Sequence, residues 1–122
     1  MTPFGARLRQ LRAARSVTLK AMALALQVSP AYLSALEHGH RGKPTWTLVQ
    51  RVITFFNIIW DEADELERLA QVSNPRIVID TSGLTPRATE FANRLAKQIG
   101  GLKETDLEKL LTLLPADPRA TL

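Results

Sequence analysis

Apolar residues in the first half of the chain recur at intervals of three and four, the period of a helix with one buried stripe. Phe4, Leu8 and Leu11 form the first set. Thr2-Pro3, just ahead of them, pairs a capping hydroxyl with a residue suited to the first helical turn, and this helix is expected to end near Ser16. Thr18 can cap a second helix carrying Leu19, Met22, Ala23 and Leu26. Gln27 and Val28 make a brief turn. Ser29 then caps a third helix, with Pro30 at its first position, where a missing N–H costs nothing. Leu33 and Leu36 would face inward from it, and Gly39 is placed to stop it. Thr45 can cap a fourth helix bearing Leu48, Val49, Val52, Ile53 and Phe56. Its β-branched content would also suit a strand, but the spacing decides for a helix. A fifth, from about Asp61 to Val72, shows Ala63, Leu66 and Ala70 on one side, with acids at its start where the helix dipole favours them.

Ser73-Asn74-Pro75 breaks the pattern, and the apolar run Arg76 to Asp80 reads as a strand or as extended chain. Thr85-Pro86 opens a sixth helix with Ala88, Phe91, Leu95 and Ile99 in register with Leu84, and Gly100-Gly101 is expected to end it. A seventh carries Leu107, Leu110, Leu111 and Leu114, and the tail from Pro115 to Leu122 reads as disordered. No repeat or low-complexity segment interrupts the series. The pattern therefore predicts an all-α fold in two parts, residues 1–72 and 73–122.

Charge separates the same two halves. The net charge of +4 over 122 residues hides eight Lys/Arg against one acid, Glu37, in residues 1–60, and eight against eleven in residues 61–122. A basic half joined to an acidic one suggests that the first meets a polyanion. With hydrophobic residues at 45%, a core is available without metal or disulfides, and the lack of any cysteine excludes thiolate zinc sites and thiol nucleophiles. There is no apolar run of membrane-spanning length and no apolar leader, so no membrane partner is expected and the expected location is cytoplasmic, associated with the nucleoid.

Two short helices joined by a tight turn, the second capped by serine, form a helix-turn-helix unit. TLKAMALALQVSPAYLSALEHG, Thr18 to Gly39, resembles the DNA-binding segment of the Xre/Cro/cI-type (lambda-repressor-like) regulators. The resemblance is carried by Ala23 at the helix crossing, the turn Val28-Ser29, Leu33, and Leu36-Glu37-His38-Gly39 closing the second helix. It extends over residues 4 to about 59. Two positions depart from the family pattern: Gln27 stands where a turn glycine is usual, and Leu19 stands where many relatives place a DNA-touching glutamine.

The resemblance implies a five-helix DNA-binding domain whose third helix enters the major groove as a homodimer on half-sites about one DNA turn apart. The candidates for base reading are Pro30, Ala31, Tyr32, Ser34 and Ala35. This set lacks the bidentate Arg, Asn and Gln readers, so Ala31 and Ala35 would meet thymine methyls while DNA shape supplies further selectivity. Arg41 and Lys43, in the loop after the recognition helix, are the leading phosphate contacts. Thr18, Ser29 and His38 are further ones, as are the amides of Thr45 and Trp46 at a helix N-terminus. Arg12 and Glu37 match the positions that join the first helix to the end of the third, and are read as a structural ion pair. Residues 73–122 are expected to form a helical extension for dimerisation.

Enzymatic readings find little purchase. His38-Gly39-His40 has no cysteine or carboxylate cluster to complete a metal site, the acids of Asp61 to Glu67 have no nearby base, and no glycine-rich phosphate loop follows a strand. No cofactor is expected. The rival to a transcriptional repressor is an antitoxin or adaptor of the same fold whose C-terminal half binds a partner protein.

Overall fold

Hydroxyl side chains begin five of the helices in the computed structural model, which describes residues 1–116. Thr2, Thr18, Ser29, Thr45 and Thr85 each accept a backbone N–H three residues ahead, each bond contributing about 1 kcal/mol. The helices they start are α1 (Pro3–Ala14), α2 (Leu19–Leu26), α3 (Pro30–Glu37), α4 (Trp46–Phe56) and α6 (Pro86–Gln98). α5 (Trp60–Gln71) has no side-chain cap but carries Asp61 and Glu62 in its first turn, and α7 (Glu104–Leu111) carries Glu104 and Asp106. Within α5, Arg68 donates to Glu65 at 2.6 Å, and that bond holds the Glu65 carboxyl below its ordinary range. Among the described residues the fold is all-α.

Two compact units divide the chain, Met1–Ile77 and a second from Val78 onward. In the first, α1 packs on α3 and α5, α2 on α3 and α4, and α4 on α5. Phe4, Leu8, Met22, Leu26, Leu33, Leu36, Val52, Phe56 and Leu66 are fully buried between them. Each such side chain contributes about 1.5–3 kcal/mol of hydrophobic stabilisation. Ser73, just after α5, belongs to this unit. Ser73 Oγ accepts the Phe4 N–H at 2.9 Å and donates to the Leu69 carbonyl at 2.6 Å, which ties the start of α1 to the end of α5.

Two helix ends change in detail, and one open alternative is decided. α1 stops at Ala14 rather than near Ser16, which takes φ +54. Residues 76–80 form no strand, since no second strand exists among the described residues to pair with them. α6 ends at Gln98, and the chain tightens into a single 3-10 turn over Ile99–Gly101 before leaving the helix. In the second unit neither α6 nor α7 contains a buried residue. Residues 117–122 of the expected tail lie outside the described residues.

The turn between α2 and α3 requires a left-handed residue. Gln27 sits at φ +60, ψ +40, a region that costs a residue with a Cβ about 1–2 kcal/mol and glycine almost nothing. Gln27→Gly is expected to stabilise the protein by roughly 0.5–1 kcal/mol, read from denaturant midpoints, after the extra unfolded-state freedom of glycine is offset. A destabilised variant would mean that Gln27 makes compensating contacts.

Candidate nucleic-acid interface

The α2–α3 pair is rigid for reasons visible residue by residue. Both helices have hydroxyl caps: Thr18 Oγ1 accepts from the Ala21 N–H and Ser29 Oγ from the Tyr32 N–H, each at 3.0 Å. The axis bends by 107° between them, within the range of a helix-turn-helix corner. Ala23, fully buried, lets the helices approach, while Met22, Leu26, Leu33 and Leu36 anchor both to the core. Leu19, which has no polar group to offer DNA, packs half-buried against that core.

With Leu33, Leu36 and Glu37 facing inward, the opposite side of α3 is left to solvent. Pro30 and Ala31 are exposed, and Tyr32, Ser34 and Ala35 are half-buried. This outer surface is small and uncharged. Tyr32 also packs against the core, and the Arg41 guanidinium lies 5.4 Å from its ring centre, a cation–π arrangement that seats the loop cation beside the helix. His38 is exposed, with Nδ1 2.8 Å from the Ser34 carbonyl. A carbonyl only accepts, so Nδ1 carries the proton in that bond and Nε2 is left for another partner. Lys43 is exposed too, its Nζ donating to Gln71 Oε1 at 2.8 Å. Thr45 caps α4 through the Leu48 N–H at 3.2 Å, and Trp46 begins that helix with 73% of its surface exposed.

Several basic residues that the charge count grouped together serve the fold. Arg12 reaches Glu37 in a two-pronged ion pair, with Nη2–Oε1 at 3.0 Å and Nε–Oε2 at 3.3 Å. Arg51 donates to the Leu26 carbonyl at 3.1 Å, closing the C-terminus of α2. Arg15 donates to the Phe56 carbonyl and lies over the Phe56 ring, at the C-terminus of α4. Cations at helix C-termini are favoured by the exposed carbonyls and the dipole. Nothing in the sequence separates Arg15 and Arg51 from outward-facing arginines; only the carbonyls they meet do so. Of the eight Lys/Arg in residues 1–60, Arg7, Arg9, Lys20, Arg41 and Lys43 are left, and of these Arg41 and Lys43 lie in the loop that follows α3.

Gly5, which sequence reasoning missed, sets the geometry of the whole site. A Cβ on Gly5 would lie 2.2 Å from the Glu37 carbonyl oxygen, so α1 and the end of α3 approach more closely than any side chain permits. Its one signal is a glycine within an otherwise good amphipathic helix, a position that weakens the helix unless close packing requires it. The Thr2 N–H donates to the same Glu37 carbonyl at 3.2 Å.

No single helix among the described residues is long and apolar enough to cross a membrane. A family model described as a helix-turn-helix domain matches residues 3–69. Over 61 residues the chain is 33% identical to an uncharacterized HTH-type transcriptional regulator, RghRB, of Bacillus subtilis (strain 168). That similarity covers 50% of this chain and 44% of the relative, so the match spans less than half of the relative's length. No solved structure matches the chain. The family match spans more than half the sequence and coincides with the five packed helices: the chain belongs to the helix-turn-helix domain family.

Proposed function

We propose that this protein is a sequence-specific double-stranded DNA-binding transcriptional regulator of the Xre/Cro/cI type, acting as a repressor by occluding a palindromic operator as a homodimer. The carrying observation is α3 itself. Its inner face is locked into the core, and its outer face offers only small or flat groups beside two exposed cations. Pro30, Ala31, Ser34 and Ala35 leave room for the helix to lie deep in a major groove, with Ala31 and Ala35 against thymine methyls and Ser34 or Tyr32 giving hydrogen bonds. Arg41 and Lys43 then neutralise flanking phosphates, supported by His38, Ser29, Thr18 and the amides at Thr45 and Trp46.

The homodimer reading draws on the second unit, where the stripe Phe91, Leu95 and Ile99 lacks a buried side. The same feature favours the second reading, an antitoxin or adaptor whose C-terminal half holds another protein. Selection of binding sites from random duplex DNA tests both. The expected product is an enriched palindrome with half-sites about one DNA turn apart, bound with an affinity that falls steeply as salt rises. Ala31→Glu, which sets a carboxylate against the groove, should weaken that binding more than tenfold with the fold intact by circular dichroism. Failure to enrich any sequence, or binding indifferent to salt, overturns the DNA reading and leaves the adaptor.

A further inference from the structure

A cleft of about 480 Å3 lies at the end of α3, lined by Gly39, His40, Arg41 and Gly42 from one loop and by Asn74 and Arg76 from the segment after α5. The two segments meet closely: Gly39 takes φ +80, and a Cβ there would lie 3.8 Å from Cβ of Pro75. Both walls are held in place. The Arg41 guanidinium is seated over Tyr32, and Asn74 Oδ1 accepts the Arg76 N–H at 3.1 Å, which fixes the turn that presents Arg76. No carboxylate lines the cleft. Arg41 and Arg76, from distant parts of the chain, thus line one concavity together with His40 and without an acid, so the cleft carries unbalanced positive charge that suits an anion.

We propose that this cleft is a phosphate site in which Arg76 and His40 join Arg41 in gripping the backbone of bound duplex DNA. The assignment rests on the DNA-binding reading above and extends the contact surface from the α3–α4 loop to the segment after α5, which the sequence pattern groups with the C-terminal extension rather than with DNA contacts. Arginine suits the task because its planar fork donates two hydrogen bonds to one phosphate. At Gly42 even an added Cβ would meet nothing within 4 Å, so the loop backbone stays open to the same ligand.

The experiment measures duplex affinity across a salt series for the intact protein, Arg76→Gln, Arg41→Gln, and Arg87→Gln, the last a charge-matched control in α6. Loss of one phosphate contact is expected to make the slope of log K against log salt shallower by about 0.9 and to weaken binding roughly tenfold at 0.1 M salt. Arg76→Gln and Arg41→Gln should each show this, equally on selected and unselected sequences, while Arg87→Gln leaves the slope alone. A normal slope for Arg76→Gln beside a reduced one for Arg41→Gln overturns the cleft assignment and leaves DNA binding standing. An equal change for Arg87→Gln reduces the effect to net charge and also overturns it. If neither Arg76→Gln nor Arg41→Gln alters the slope while the intact protein still binds duplex in a salt-dependent way, the cleft assignment is overturned and other phosphate contacts carry the DNA binding. A titration with inorganic phosphate at constant ionic strength separates the sources. Micromolar saturation of the cleft, with duplex affinity unaffected by Arg76→Gln, would assign the site to a free anion and defeat the proposal.

Discussion

Alanine at position 5 is expected to destabilise the protein by at least about 3 kcal/mol, a large share of the roughly 5–15 kcal/mol that holds an ordinary domain together. The added methyl would lie 2.2 Å from the Glu37 carbonyl oxygen and 2.6 Å from its Cα. Those are backbone atoms at the end of a capped, core-anchored helix, and no flexible side chain can yield in their place. To relieve the overlap α1 must move away from α3, which breaks the Thr2–Glu37 backbone bond and disturbs the Arg12–Glu37 pair at once. Gly42→Ala is the matched control, since nothing lies within 4 Å of its new methyl and both changes reduce unfolded-state freedom alike. Chemical denaturation of the two variants checks the prediction. A loss below about 1 kcal/mol for Gly5→Ala would show that the two helices part easily, and the rigid presentation of α3 would go with it.

That contact marks where the sequence stops being legible. Helix starts are readable because a hydroxyl cap acts through its own chain three residues on, so Thr2, Thr18, Ser29, Thr45 and Thr85 can each be assigned locally. The buried stripes are readable for the same reason, as period-3.6 patterns that end in the core. What cannot be read is long-range pairing. Gly5 is explained only by residue 37, Ser73 only by Phe4, and Arg15 and Arg51 only by carbonyls on other helices. In the candidate site this divides the residues by kind. The outer face of α3 follows from periodicity. The division of the arginines into fold-serving and outward-facing groups, and the place of Arg76 beside Arg41, need the tertiary structure.

The ion pair between α1 and α3 gives the second large effect, and its two halves are unequal. Glu37 keeps 1% of its surface exposed, whereas the Arg12 side chain retains 16%. Arg12→Met therefore strands a carboxylate that has no water to turn to, and an unpaired buried charge costs about 3–5 kcal/mol. Glu37→Met leaves Arg12 at the rim, where its guanidinium can swing into solvent and its aliphatic stem can stay on the protein. The expected loss there is smaller, roughly 1–2 kcal/mol, mostly that of the hydrogen bonds. The double change to Met buries two apolar chains of similar length without any charge, and should be no worse than Glu37→Met alone. Urea midpoints of the three variants and the parent give the order directly. If Arg12→Met proved the mildest of the three, then Glu37 would have to reach solvent or another partner once released, and the pair would be a surface clasp. Should the order hold, the pair and Gly5 form one device: the glycine lets α1 come close enough for the arginine to reach, and the buried carboxylate fixes the end of α3. On the proposed DNA-binding reading, a recognition helix held in this way would enter a groove already in shape, so little conformational entropy would be lost on binding.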